Sequence, residues 1–160
     1  MPGKGSVRAG FTVVEVVITV CIVGIVSAIA IPNYLRYTEK SKETTAISDI
    51  NAIAFKLKAI MVEDPSALPA DLSAFQSVLA LSLLDPWGNP YRYVRFYGHP
   101  ENLNAMRKDH NLHPINTDFD LYSMGPDGQS VTPLTGGPSR DDIIRANDGA
   151  FIGKASTYDP

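Results

Sequence analysis

The sequence predicts an α+β protein: a long N-terminal α-helix, half membrane-like and half amphipathic, packed on a small antiparallel β-sheet with a loop-rich C-terminus. Three observations carry this. Phe11 to Ile31 is an apolar run of about twenty residues interrupted by one charge, Glu15. Behind it, Ile47, Ile50, Ile53, Ala54, Leu57, Ile60 and Met61 recur at steps of three and four, the spacing of a helix with one apolar face. From Asp85 onward, turn formers alternate with short aromatic and aliphatic runs, the pattern of strands.

At ~1.5 Å per residue, the Phe11–Ile31 run is just long enough to cross a bilayer as a helix. The whole chain of 160 residues then suits a membrane segment plus one small domain. A net charge of −3 gives no nucleic-acid footprint. The one cysteine, Cys21, lies inside the apolar run, so no intrachain disulfide can form. The head must be held by packing, by a metal or by neighbours.

Residues 1–10 carry Lys4, Arg8, three glycines and no acid, and read as a leader. Two processing sites compete. Ala28-Ile29-Ala30 has the small-x-small form of a secretory cut, which would release a secreted metal-binding module beginning at Ile31. The other cut, between Gly10 and Phe11, keeps the apolar helix on the mature chain. Glu15 favours the second, because an acid in a secretory apolar region has no evident use. A carboxylate in a membrane helix costs roughly 2.5–3.5 kcal/mol at mid-span, which makes Glu15 a functional residue in search of a partner.

The amphipathic stretch continues the helix to a stop at Asp64-Pro65, and Pro32 falls between its two halves, where it removes one hydrogen bond and bends the helix. The expected segments are a leader (1–10), a membrane and assembly helix (11–32), its amphipathic continuation (33–64) and a globular head (65–160). Leu72, Phe75 and Leu79 add core. Asp85 to Tyr91 is a turn with Trp87 as a plug beneath it, Tyr91–Tyr97 a strand, and 98–117 a polar loop. Phe119–Met124 is a second strand, and Ile143-Ile144 a weak apolar piece in the remaining loop.

Gly10-Phe11-Thr12-x-x-Glu15 ahead of a long apolar helix resembles the prepilin signal of the type IV pilin and pseudopilin superfamily. The resemblance implies that a prepilin peptidase cuts after Gly10 and methylates the new amine of Phe11. It implies that Glu15 directs assembly by pairing with that amine on an adjacent subunit, and that the head is exported from the inner membrane to the periplasm. Basic residues flank the span on both sides (Lys4 and Arg8 before it; Arg36, Lys40 and Lys42 after it), so charge alone sets no orientation.

Asp85-Pro-Trp-Gly-Asn-Pro-Tyr91 and Asp120-Leu-Tyr-Ser-Met-Gly-Pro-Asp-Gly128 resemble the major pseudopilins of type II secretion systems. That implies a structural protein, not an enzyme, built into a homo-oligomeric helical filament. Its implied partners are minor pseudopilins, an inner-membrane assembly platform, the prepilin peptidase and, before assembly, membrane lipid. It also implies calcium held by Asp127, Asp141, Asp142 and the Met124 carbonyl, a ligand set of the all-oxygen kind calcium takes. The 98–117 loop is long for that subfamily. The alternative within the superfamily is a type IV pilin building a surface pilus for adhesion, motility or electron transport. His110-x-x-His113 beside Asp109 offers a weak transition-metal pair.

Overall fold

The computed structural model describes residues 10–75, 83–110 and 113–159. Residues 1–9, expected as a leader and carrying Lys4 and Arg8, and the expected core residue Leu79 lie outside the described residues. The chain divides into two compact units, Met1–Glu39 and Lys40–Pro160.

Helix α1 runs Val13–Glu63, within a residue or two of the expected bounds. Glu63 is followed by Asp64, whose Oδ1 accepts from the Ser66 amide at 2.8 Å and caps the next short turn, Pro65–Ala67. Pro32 lies inside α1, where it has no N–H to donate to the carbonyl four residues back. In the first unit the apolar side chains from Phe11 to Ile31 are exposed. By length and composition, α1 is the one helix among the described residues able to cross a membrane.

The second unit is built around a four-stranded antiparallel meander, in the order β1 (Arg92–Arg95), β2 (Phe119–Ser123), β3 (Ile143–Ala146), β4 (Phe151–Lys154). Register is set by pairs such as Tyr93 with Leu121, Tyr122 with Ile144, and Arg145 with Ile152. One sheet face, with Phe119, Leu121 and Ile143, packs with Ala46, Ile50, Ile53, Ala54 and Leu57 of α1. These five helix residues follow the three-four spacing of the sequence, while Ile47 and Met61 pack at the margin. Side chains alternate across a strand. Ile144 and Ala146 therefore face the other way, into a second cluster with Ile115, Leu134 and Ala155. That second layer is loop rather than helix.

The two expected strands appear, the first trimmed at both ends and the second by one residue at its C-terminal end. The C-terminus, expected to be loop, supplies half the sheet. β3 carries Arg145 amid apolar residues, and the turn to β4 is Asn147-Asp148-Gly149, with φ of 50°, 55° and 96°. Asn, Asp and Gly are the residues that tolerate such values. Trp87 is partly buried and packs against the helix-side core, the plug expected of it.

Full burial of an isoleucine is worth roughly 1.5–3 kcal/mol, and its truncation adds a cavity cost. Ile53→Ala is expected to destabilise the head by about 2–5 kcal/mol in denaturant unfolding of the full-length chain in detergent. Phe55→Ala, on the same helix but 77% exposed, should change it by less than about 0.5 kcal/mol.

Candidate functional site

The start of α1 is a reciprocal cap. Thr12 precedes the first helical residue. The Glu15 amide donates to its hydroxyl at 3.2 Å. In return, Glu15 Oε2 accepts from the Thr12 amide and the Thr12 hydroxyl, each at 2.8 Å. This is the capping box of a Ser/Thr-x-x-Glu sequence, and it satisfies amides that would otherwise have no partner at a helix end. The negative charge also lies at the positive end of the helix dipole. Glu15 therefore has a partner within its own first turn, which the reading of it as an unpaired charge had missed. Its other oxygen, Oε1, takes no part in the cap.

In the head, the two turn motifs of the sequence form one junction. Asp85 is buried, and its Oδ1 accepts from the amides of Trp87 at 3.0 Å and Asn89 at 2.8 Å. Its Oδ2 accepts from the hydroxyl of Ser123 at the end of β2. The Asn89 side-chain amide donates to the Gly125 carbonyl at 2.9 Å. One carboxylate thus folds its own turn and fastens it to the other. Gly125 has φ +64°, and a Cβ there would lie 2.6 Å from the Asp141 carbonyl oxygen, so only glycine fits.

Beneath the loop layer lies a set of buried charges that sequence reading missed. Arg145 donates to both carboxylate oxygens of Asp118, at 2.8 and 2.6 Å, and its guanidinium sits 4.2 Å from the Phe119 ring centroid. Asp120 accepts from the Arg107 amide at 2.7 Å and from Asn116 at 2.9 Å. Arg107 is itself buried and donates to Asp142 Oδ2 at 2.5 Å. The available signal was an arginine inside an apolar run and aspartates alternating with Phe119 and Leu121.

Of the four residues expected to hold calcium, the network takes up one, Asp142. Asp127 is exposed, and its Oδ1 accepts from the Gln129 amide at 2.8 Å, an ordinary turn bond. Asp141 lies against Gly125, beside Met124. Asp142 is fully buried and committed to Arg107 and to the Ser130 hydroxyl. Its Oδ1 is buried without a hydrogen-bond partner, but a guanidinium stands next to it. Among the described residues, no three His, Cys, Asp or Glu groups gather as a metal site. Asp142, the buried member of the expected calcium set, is thus committed to a guanidinium and a hydroxyl. His110 instead pairs with Asp109 at 2.9 Å.

Asp85→Ala strands two amides and a buried hydroxyl, and is expected to cost about 2–3 kcal/mol in denaturant unfolding; Asp127→Ala should cost well under half of that. A pH effect follows from Asp148. Burial acts to raise its pKa, but bonds from the Thr117 amide and hydroxyl, both 2.7 Å, outweigh burial and hold it below 3.8. The folded value is depressed, so this contribution is present above the unfolded pKa and lost as pH falls through the folded one. Asp148→Asn should flatten that part of the acid limb in a stability-versus-pH profile.

No family profile matches the chain, and no solved structure does. Type II secretion system core protein G of Pseudomonas aeruginosa is 28% identical over 76% of this chain and 86% of its own length. The core protein G of Aeromonas hydrophila is 28% identical over 78% of this chain and 87% of its own. A fimbrial protein of Pseudomonas aeruginosa is 36% identical over 51% of this chain and 55% of its own. With its capped apolar helix and helix-backed antiparallel sheet, the chain is similar over most of its length to type II secretion core protein G, and over half of it to a fimbrial protein.

Proposed function

We propose that the chain is the major structural subunit of a type II secretion pseudopilus, matured by cleavage between Gly10 and Phe11 and methylation of the Phe11 amine. The observation that carries this is the Gly10-Phe11-Thr12-x-x-Glu15 sequence at the start of a membrane-length helix whose apolar surface is uncovered. The subunit waits in the inner membrane with its head in the periplasm. The assembly platform and minor pseudopilins then take part in its extraction into the filament. Apolar helix surface leaves lipid for the same surface on neighbouring copies, and a head-to-tail contact that does not close extends into a helix. The role is structural rather than enzymatic, in keeping with relatives named as core proteins and pilins.

Glu15 supports a division of labour. Oε2 caps the helix, and Oε1 is left to accept from the Phe11 amine of an adjacent subunit. A buried carboxylate with a cationic partner is tolerated where a lone one is not, so the pair selects one axial step between subunits. α1 continues unbroken through Ala28-Ile29-Ala30, which gives no support to a cut there. A surface pilus is the second reading, favoured by the fimbrial match over half of the chain.

Mass spectrometry of the mature chain is expected to show methylated Phe11 as the first residue; a chain beginning at Ile31 would refute the proposal. Glu15→Ala should insert into the membrane as the parent does yet be absent from sheared or cross-linked filaments. Normal filaments from that variant would remove Glu15 from assembly.

A further inference from the structure

We infer that Arg107 is a built-in cation that fastens the 124–142 loop to the sheet, in the role that a bound calcium ion was expected to fill. The guanidinium is tied to three separate parts of the chain. It donates to Asp142 Oδ2 at 2.5 Å, just before β3. It also donates to the Ser130 hydroxyl and, at 3.1 Å, to the Val131 carbonyl, both in the middle of the loop. Its face lies 4.2 Å from the centroid of Tyr122 on β2. The Arg107 backbone is pinned in turn, its amide donating to Asp120 Oδ2 at 2.7 Å.

Ser130 closes the triangle by donating to Asp142 Oδ2 at 2.6 Å. Ser139 then crosses the loop, accepting from the Val131 amide at 2.8 Å and donating to the Val131 carbonyl at 2.7 Å. A planar fork of five donors, always charged, can bridge carboxylate, hydroxyl and carbonyl together. The 98–117 segment delivers Arg107 to the loop. The inference concerns the order of the head alone and stands whichever filament the chain builds.

The test is thermal melting of the full-length chain in detergent, in excess calcium and in excess chelator, with calorimetric titration of calcium into metal-free protein. The two melts are expected to superimpose, and the titration to give only heat of dilution. A lower melting temperature in chelator, or stoichiometric calcium binding, overturns the inference. Arg107→Gln should lower the melting temperature by more than about 10 °C in either buffer, because it leaves a buried carboxylate uncompensated. In an Asp142→Asn background the same substitution should lower it far less. Equal drops in the two backgrounds overturn the pairing, and the wild-type comparison decides the metal question even if the single variant does not fold.

Discussion

The head depends on one constraint: its sheet is covered on the second face by loops rather than by a helix. A loop layer brings backbone amides, carbonyls and polar side chains into contact with a buried surface, and each needs a partner there. The chain meets this with charges placed under the loops. Asp120 takes the amide of Arg107 and the side chain of Asn116, and Asn116 reaches on to the carbonyl of Arg145. Arg145 fixes Asp118 at the entrance to β2. Removing one member leaves several others unmatched, so the layer is cooperative and holds its loops in one arrangement.

At the other end of the chain the same accounting applies to α1. A helix that begins near a membrane surface has amides without partners and little water to take them. Thr12 and Glu15 supply those partners from within the sequence. The cap uses one of the two carboxylate oxygens of Glu15, so it does not compete with the assembly role proposed for that residue. The acid that is costly in an apolar helix therefore also stabilises the start of that helix.

Much of this was legible in the sequence. The three-four spacing at Ile50, Ile53 and Leu57 located the buried face of α1, and Asp64-Pro65 located its end, because both signals are local. Thr12-x-x-Glu15 was legible as a capping box but was overlooked in favour of a partner on another chain. Asn147-Asp148-Gly149 between two short apolar pieces was likewise a hairpin signal, obscured by Arg145 in β3 and by strands of four residues each. The commitment of Asp142 to a guanidinium was hidden for a different reason. Asp127, Asp141 and Asp142 look equivalent on paper, and only the fold brings Arg107, about thirty-five residues earlier, beside one of them.

That substitution of an internal cation for an expected ion changes what the order of the head depends on. A loop closed by a bound ion gains stability in proportion to the logarithm of ion concentration, and is loosest where the ion is scarce. A loop closed by Arg107 is independent of concentration. The cost is carried in the chain itself: a buried pair must be desolvated, and the pair here leaves Arg107 Nε and Asp142 Oδ1 without partners. Burial pushes Asp142 up to about 6 even with the guanidinium beside it, a measure of how far desolvation offsets the attraction. Such a pair adds little net stability over an apolar core, yet it penalises every arrangement in which the loop is not closed over the sheet. Its contribution is therefore to the uniqueness of the loop's conformation, which is the property a subunit repeated along a filament needs.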